Sequence, residues 1–431
     1  MPDGNLTRME KEYNRGSVAG MIVLTTAMNR TVPLHSADPV DRRRPVPVPW
    51  EQARVRAHAA PQPLGACCVP LTCAAGLTLA GEICTRVPLP AFDTAAMDGY
   101  AVAGPGPWQL RGQVWAGAVW KGILGPGEAV EICTGAQVPL GARAVLPVEL
   151  AVFDGAFVSG AVPAAGTHIR RAGEDAPAGT PLAPTGTRIG PALIGLAATC
   201  GYDTLTVRPR PQVRILVTGE ELTHTGTSGA GRVRDALGPL LPTLVAQLGG
   251  EVREVRHLPD RLTDLLGAAV HPPDEGGDAE VVVVTGSTSV GVTDQLRQLL
   301  RTHGARWIVD TVACRPGHPQ LLAGLGTRRW LVGLPGNPFA AFVAAYTLLG
   351  PLLAGLSGRR LPELPLALVT GDVRPAPGLT RLVPVAWEGG AARVVGGHRA
   401  AFLRGAALGD ALAAVPPGWT DGTPVPLVLT G

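Results

Sequence analysis

The chain has 431 residues, 46% of them hydrophobic and 16% charged, with a formal net charge of +3. At roughly 100–200 residues per domain, this length predicts about two to four domains with sizeable cores. The near-neutral balance and the 4% aromatic content exclude a basic nucleic-acid footprint and stacking platforms for bases.

Residues 1–48 mix polar positions with the run Arg42-Arg43-Arg44 and two nearby prolines, and read as a disordered extension. The apolar run from Gly20 to Leu24 lacks a basic leader and a cleavage site, so a cytoplasmic protein is expected. Pro49-Trp50-Glu51-Gln52-Ala53 suits a helix start, with proline early and glutamate in the first turn. Leu77 to Ile83 reads as a second short helix or a turn. Pro88 to about Gly160 is all-β in character, with apolar runs at Ala129–Ile132 and Ala144–Val148 between Gly/Pro turns. Pro191–Ala198 reads as a helix, with Pro191 as its first residue and Gly201 as its stop.

From Pro211 to about Gly358, strands and helices alternate. Strands are expected at Val213–Val217, Glu251–Val255, Glu280–Val284 and Trp330–Leu334. Helices are expected at Pro239–Leu248, Leu262–Val270 and Thr293–His303. Such alternation predicts a largely parallel sheet covered on both faces. Phe339–Leu356 is long and apolar enough to consider as a membrane span. Gly350, Pro351 and Gly355 interrupt it, so a buried helix is expected and no membrane partner. The tail returns to short strands at Leu366–Val369 and Val425–Leu429. The seven cysteines match no zinc spacing and read as small buried side chains in a reducing compartment.

In open α/β sheets, ligands bind beyond the carboxyl ends of the strands. Three expected strands end there in unusual loops: Thr218-Gly219-Glu220-Glu221-Leu222, Thr285 to Asp294, and Leu334-Pro335-Gly336-Asn337-Pro338. The second has small residues, hydroxyls and free N–H groups and opens a helix, which suits a phosphate. It lacks the Gly-Lys-Ser/Thr ending of a P-loop. Glu220 reads as a solvated loop charge. Glu221 and Asp294 suit either magnesium beside substrate phosphates or the capping of a helix N-terminus. The Pro-Gly-Asn-Pro turn either presents backbone groups to a flat ring or is structural only. Arg315-Pro316-Gly317-His318-Pro319 adds a cation suited to phosphate or carboxylate; His318 is not read as a ligand.

Taken together, these residues resemble the MoeA-type molybdopterin molybdenumtransferases, including the matching region of gephyrin-like proteins. The resemblance runs from about Pro49 to Gly431. It rests on Leu89-Pro90-Ala91-Phe92-Asp93-Thr94-Ala95-Ala96-Met97-Asp98-Gly99-Tyr100-Ala101-Val102, on Ile132-Cys133-Thr134-Gly135-Ala136-Gln137-Val138-Pro139 with Glu149, on Arg171-Ala172-Gly173-Glu174-Asp175, and on the rim loops with Arg315-Pro316-Gly317. It implies an elongated multidomain subunit of α/β plus β class. Its parts would be a discontinuous linker and dimerisation domain at 49–88 and 161–207, an inserted β-domain at 89–160, a parallel-sheet molybdopterin-binding domain at 208–358 and a C-terminal β-barrel at 359–431.

The implied reaction inserts molybdate into adenylylated molybdopterin with magnesium and releases AMP. By resemblance, Asp98, Thr134, Glu221 and Asp294 would be catalytic. Glu221 and Asp294 would hold the metal, while Asp98 and Thr134 would reach the partner subunit of a homodimer. Gly286, Ser287, Ser289, Gly291, Asp260, Arg315, Pro335, Gly336 and Asn337 would bind the pterin. A molybdopterin adenylyltransferase is a further implied partner. The chain departs from the family pattern in several places. Lysines are usual where it has Arg315, His318 and Thr311, and an Asn where it has Leu237. A Gly is usual at Ser287, and a Ser near Ala400-Ala401. The alternative reading is a catalytically weakened molybdopterin-binding carrier or regulatory paralogue.

Overall fold

The computed structural model describes residues 46–259, 264, 267–268, 279–286, 292–397 and 399–430, with the backbone alone at 292–295. Most of the expected extension, and most of the helix expected at Leu262–Val270, lie outside the described residues. The extension's last residue is in a sheet: Val48–Pro49 pairs in parallel with Val312–Arg315, and the Val48 amide donates to the Thr311 carbonyl at 2.9 Å.

The expected parallel sheet is present. Its strands run in the order Glu251–Leu258, Gln212–Thr218, Val281–Val284, Arg329–Gly333, Leu321–Leu325 and Arg306–Val309. The first four are mutually parallel. The last two, which the alternation did not predict, add an antiparallel edge. All four residues of Val281–Val284 are buried, because helices cover both faces. Val281 and Val283 pack toward Leu237–Leu248 and the long apolar helix. Val282 and Val284 pack toward Leu296, Leu299 and Leu300 of the Val292–Thr302 helix. Fully burying one such side chain stabilises the fold by about 1.5–3 kcal/mol.

The long apolar stretch is a core helix. Pro338–Ala344, Ala345–Leu349 and Gly350–Leu356 run on as one 19-residue stretch that is 89% buried. Its middle segment is wound as a wider π turn just before Pro351. Proline lacks the N–H of a regular turn and its ring clashes with the carbonyl four residues back. Trp50 of the Trp50–Ala59 helix is buried against this stretch and donates from its indole N–H to Thr347 Oγ1 at 3.0 Å.

The β character of 88–160 also holds. Six strands pair in the order Val152–Phe153, Phe157–Ser159, Trp108–Val114, Glu128–Ile132, Gly99–Ala103 and Ala144–Pro147. Within Leu77 to Ile83, where a short helix or a turn is expected, two short strands form, separated by a bend at Ala80-Gly81. Thr78–Leu79 pairs with Thr204–Arg208, and Ile83–Cys84 with Pro181–Ala183, which buries Leu79 and Ile83 on one small core. The Pro191–Thr199 helix starts on its proline, and Gly201 follows its end with φ +82°. The C-terminal strands join an eight-stranded mixed sheet that also takes in Val312–Arg315. The cysteines divide: Cys200 and Cys314 are buried, whereas Cys67, Cys68 and Cys73 are exposed on and beside the outer strand Cys67–Pro70. The expectation of buried cysteines therefore fails for those three.

Candidate active site

The carboxyl ends of the two central strands are stitched together. The Thr218 hydroxyl donates to the Thr285 carbonyl at 2.7 Å, and the Thr285 amide donates to the Leu216 carbonyl at 2.9 Å. This close approach requires glycine at 286. Its φ is +75°, and a Cβ there would lie 2.5 Å from Thr218 Oγ1. The Thr285 hydroxyl is buried with no hydrogen-bond partner among the described residues. Ser287, Ser289, Gly291 and Asp260 lie outside the described residues, as does the side chain of Asp294.

Glu221 stands on the neighbouring loop with an exposed carboxylate that makes no ion pair among the described residues. Its backbone is held: the Val233 amide donates to the Glu221 carbonyl at 2.9 Å, within the parallel pair Leu222–Thr223 and Val233–Arg234. The third loop leaves the Arg329–Gly333 strand at Leu334, whose amide donates to the Val284 carbonyl at 2.8 Å. Pro335 is buried, Gly336 and Asn337 are exposed, and Pro338 opens the core helix. All three loops thus leave adjacent parallel strands at the same edge of the sheet.

Arg315 meets two cations that sequence reasoning missed. The Val312–Arg315 strand pairs in parallel with Thr380–Glu388, in a register that sets Arg315 opposite Arg381. The Ala340 amide, in the first turn of the core helix, donates to the Ala400 carbonyl at 3.0 Å and brings Arg399 alongside. Arg315, Pro316, Arg381, Arg399 and Ala400 line a cavity of about 270 Å³. None of the three guanidiniums forms an ion pair among the described residues. Burial, and then the charge of Arg315, push the Arg381 pKa down from its usual value. Such crowding of like charges favours an anion between them. The two other positions with a family lysine are not free cations here. Thr311 is buried and donates to the His318 carbonyl at 2.7 Å, and His318 Nδ1 lies 2.8 Å from the Val312 carbonyl oxygen.

Asp98 and Thr134 meet in the six-stranded β region. Asp98 Oδ1 accepts from the Thr134 amide at 2.6 Å and from its hydroxyl at 2.8 Å, and these bonds hold the carboxyl below the usual carboxylate range. Both flank or adjoin a cavity of about 160 Å³ lined in part by Asp98, Tyr100, Trp115 and Cys133. No hydrogen bond or ion pair among the described residues ties this pair to the three loops. Two motifs of the sequence interlock nearby. Asp93 accepts from the Ala172 amide at 2.9 Å and pairs with Arg171, and the amide first, then the cation, lower its pKa.

The comparisons with known proteins identify the family. Residues 47–201 match the family model described as the MoeA N-terminal region (domain I and II), and residues 214–355 match that of a probable molybdopterin binding domain. Molybdopterin molybdenumtransferase 2 of Mycobacterium tuberculosis is 34% identical over 319 residues, covering 69% of this chain and 76% of that protein. The molybdopterin molybdenumtransferase of Synechococcus elongatus is 33% identical over 312 residues, covering 69% and 77%. The crystal structure of a molybdopterin biosynthesis MoeA protein from Pyrococcus horikoshii superposes with a TM-score of 0.72 at 26% identity, covering 90% of this chain and all of that one. The chain belongs to the molybdopterin molybdenumtransferase family of molybdenum cofactor biosynthesis.

Proposed function

We propose that the protein inserts molybdate into adenylylated molybdopterin in the cytoplasm, with magnesium, and releases AMP. The observation that carries this reading is the cavity between Arg315, Arg381 and Arg399. A small dianion fits three guanidiniums that line one cavity and form no ion pair among the described residues.

The Thr285–Gly286 turn would take the pterin phosphate, and the unpartnered Thr285 hydroxyl supports a polar ligand there. Pro335, Gly336 and Asn337 would face the ring system, with Asp260, Ser287, Ser289 and Gly291 completing the cradle. Glu221 fits magnesium by its chemistry: it is an exposed carboxylate without an ion pair at the rim where phosphates would lie. Asp294 would be the second carboxylate. Magnesium would supply charge neutralisation of the pyrophosphate. Asp98 is kept ionised by Thr134, and the pair would act on the partner subunit of a homodimer, reaching across from 89–160. A molybdopterin adenylyltransferase would deliver the substrate. The linker segments 49–88 and 161–207 and a barrel formed by 359–431 belong to the same proposal.

The test is single-turnover reaction of the purified chain with adenylylated molybdopterin, magnesium and molybdate. The expected result is AMP release that depends on molybdate and stops in Asp294→Ala. Tight pterin binding with no AMP release overturns the reading in favour of a molybdopterin carrier.

A further inference from the structure

One cluster at the same sheet edge is used by none of the roles above. Asp235 is only 5% exposed, and its Oδ1 accepts from the Leu237 and Gly238 amides, both at 2.9 Å. That oxygen caps the Leu237–Leu248 helix and fixes the carboxylate plane. The other oxygen, Oδ2, faces two imidazoles. His257 Nε2 lies 2.9 Å from it and His224 Nδ1 3.8 Å, and the three ligand atoms all fall within 4.8 Å of one another. The two rings sit 4.0 Å apart, centroid to centroid, and are tilted by 58°.

Backbone pairing builds this cluster. The loop after Leu222–Thr223 returns beside itself as Val233–Arg234, and the Asp235 amide donates to the Thr223 carbonyl at 2.9 Å, so His224 and Asp235 adjoin. His257 comes from the neighbouring strand, in register with Val217. Gly238 leaves the space, since a Cβ there would lie 2.3 Å from Asp235 Oδ2 and 3.3 Å from His257 Nε2.

We propose that His224, Asp235 and His257 form a binding site for one zinc-class divalent cation, with a fourth position open to solvent or an anionic ligand. Two imidazole nitrogens and one carboxylate oxygen are a ligand set that zinc takes, whereas magnesium prefers oxygen and water. Tetrahedral zinc with bonds of ~2.0–2.2 Å sets its ligand atoms ~3.4 Å apart. The observed 2.9 and 3.8 Å lie on either side of that value and the two imidazole nitrogens lie within 4.8 Å of each other, so rotation of the rings would bring the three ligand atoms around one ion. Both imidazoles are partly exposed, which gives the ion a path in. The site goes beyond the proposed reaction and does not rest on it.

The test is calorimetric titration of the full, chelator-stripped chain with zinc, and absorption with cobalt(II), both without pterin or molybdate. The expected result is one tight zinc per chain that a His224→Ala/His257→Ala double variant loses. Each single variant should bind at least tenfold more weakly. Cobalt should give a four-coordinate visible spectrum without a thiolate charge-transfer band, which separates this site from the exposed Cys67 and Cys68. Circular dichroism of the variants, whose substituted side chains are partly exposed, checks that they fold. Equal zinc binding by wild type and double variant, or a thiolate band, overturns the proposal.

Discussion

The two halves of the candidate site carry opposite charge and are built by opposite means. The Arg315–Arg381–Arg399 cavity holds three guanidiniums that form no ion pair among the described residues. The rim at Glu221 and Asp235 holds carboxylates and imidazoles. The cavity is assembled from segments far apart in the chain, through one strand register and one helix-to-loop hydrogen bond. The rim is assembled from loops that leave adjacent strands. In the proposed reading, oxyanion and metal would be held at separate places, and of the two only the rim loops are visible as local sequence motifs.

Removing charge from the cavity breaks the comparison most severely. Each charge-assisted hydrogen bond contributes about 1.5–3 kcal/mol, so Arg381→Ala should weaken tungstate or molybdate binding about 10- to 100-fold by calorimetry. Arg381→Lys should recover part of that, because a point charge cannot reproduce a bidentate fork. Glu221→Gln, on the rim, should leave anion affinity unchanged.

Crowding the rim tests the other half. Gly238→Ala puts a methyl group against the Asp235–His257 contact and should destabilise the fold by about 1–3 kcal/mol in denaturant unfolding. Anion affinity should survive, because Gly238 lies on the rim and not in the cavity.

Salt should sharpen the contrast more mildly. Raising ionic strength from about 0.01 to 0.15 M shortens the Debye length from about 30 to about 8 Å. Titrations across that range should show several-fold weaker anion binding. The stability of the buried sheet should be little changed.

Acid produces the smallest effect, and its sign follows from Asp98. The folded carboxyl is held below its unfolded value, chiefly by the Thr134 amide and then its hydroxyl. Its contribution is therefore complete above an unfolded pKa of about 3.9 and is lost as pH falls through the lowered folded value. Asp98→Asn should flatten that part of the acid-unfolding curve, measured by fluorescence, whereas Thr134→Val, which keeps the amide and removes only the hydroxyl, should reduce it only in part.

Much of the fold was legible in the residues. The all-valine run at 281–284 and the Gly/Pro-bounded β segments follow from composition and period. So did the rim loops, because a strand that ends in small or acidic residues marks its carboxyl edge. Arg381 and Arg399 were not legible, because neither sits in a motif and their meeting depends on register across the C-terminal sheet. His224 and His257 are each lone histidines in sequence and meet only once the Thr223–Asp235 pairing closes. Leu77 to Ile83 misled because a strand as short as Thr78–Leu79 shows no period.

The most direct measurement is anomalous diffraction from crystals of the full chain soaked with tungstate. One strong peak is expected between the guanidiniums of Arg315, Arg381 and Arg399. A peak beside His224 and His257 with none in the arginine cavity, or no bound anion at all, would contradict it.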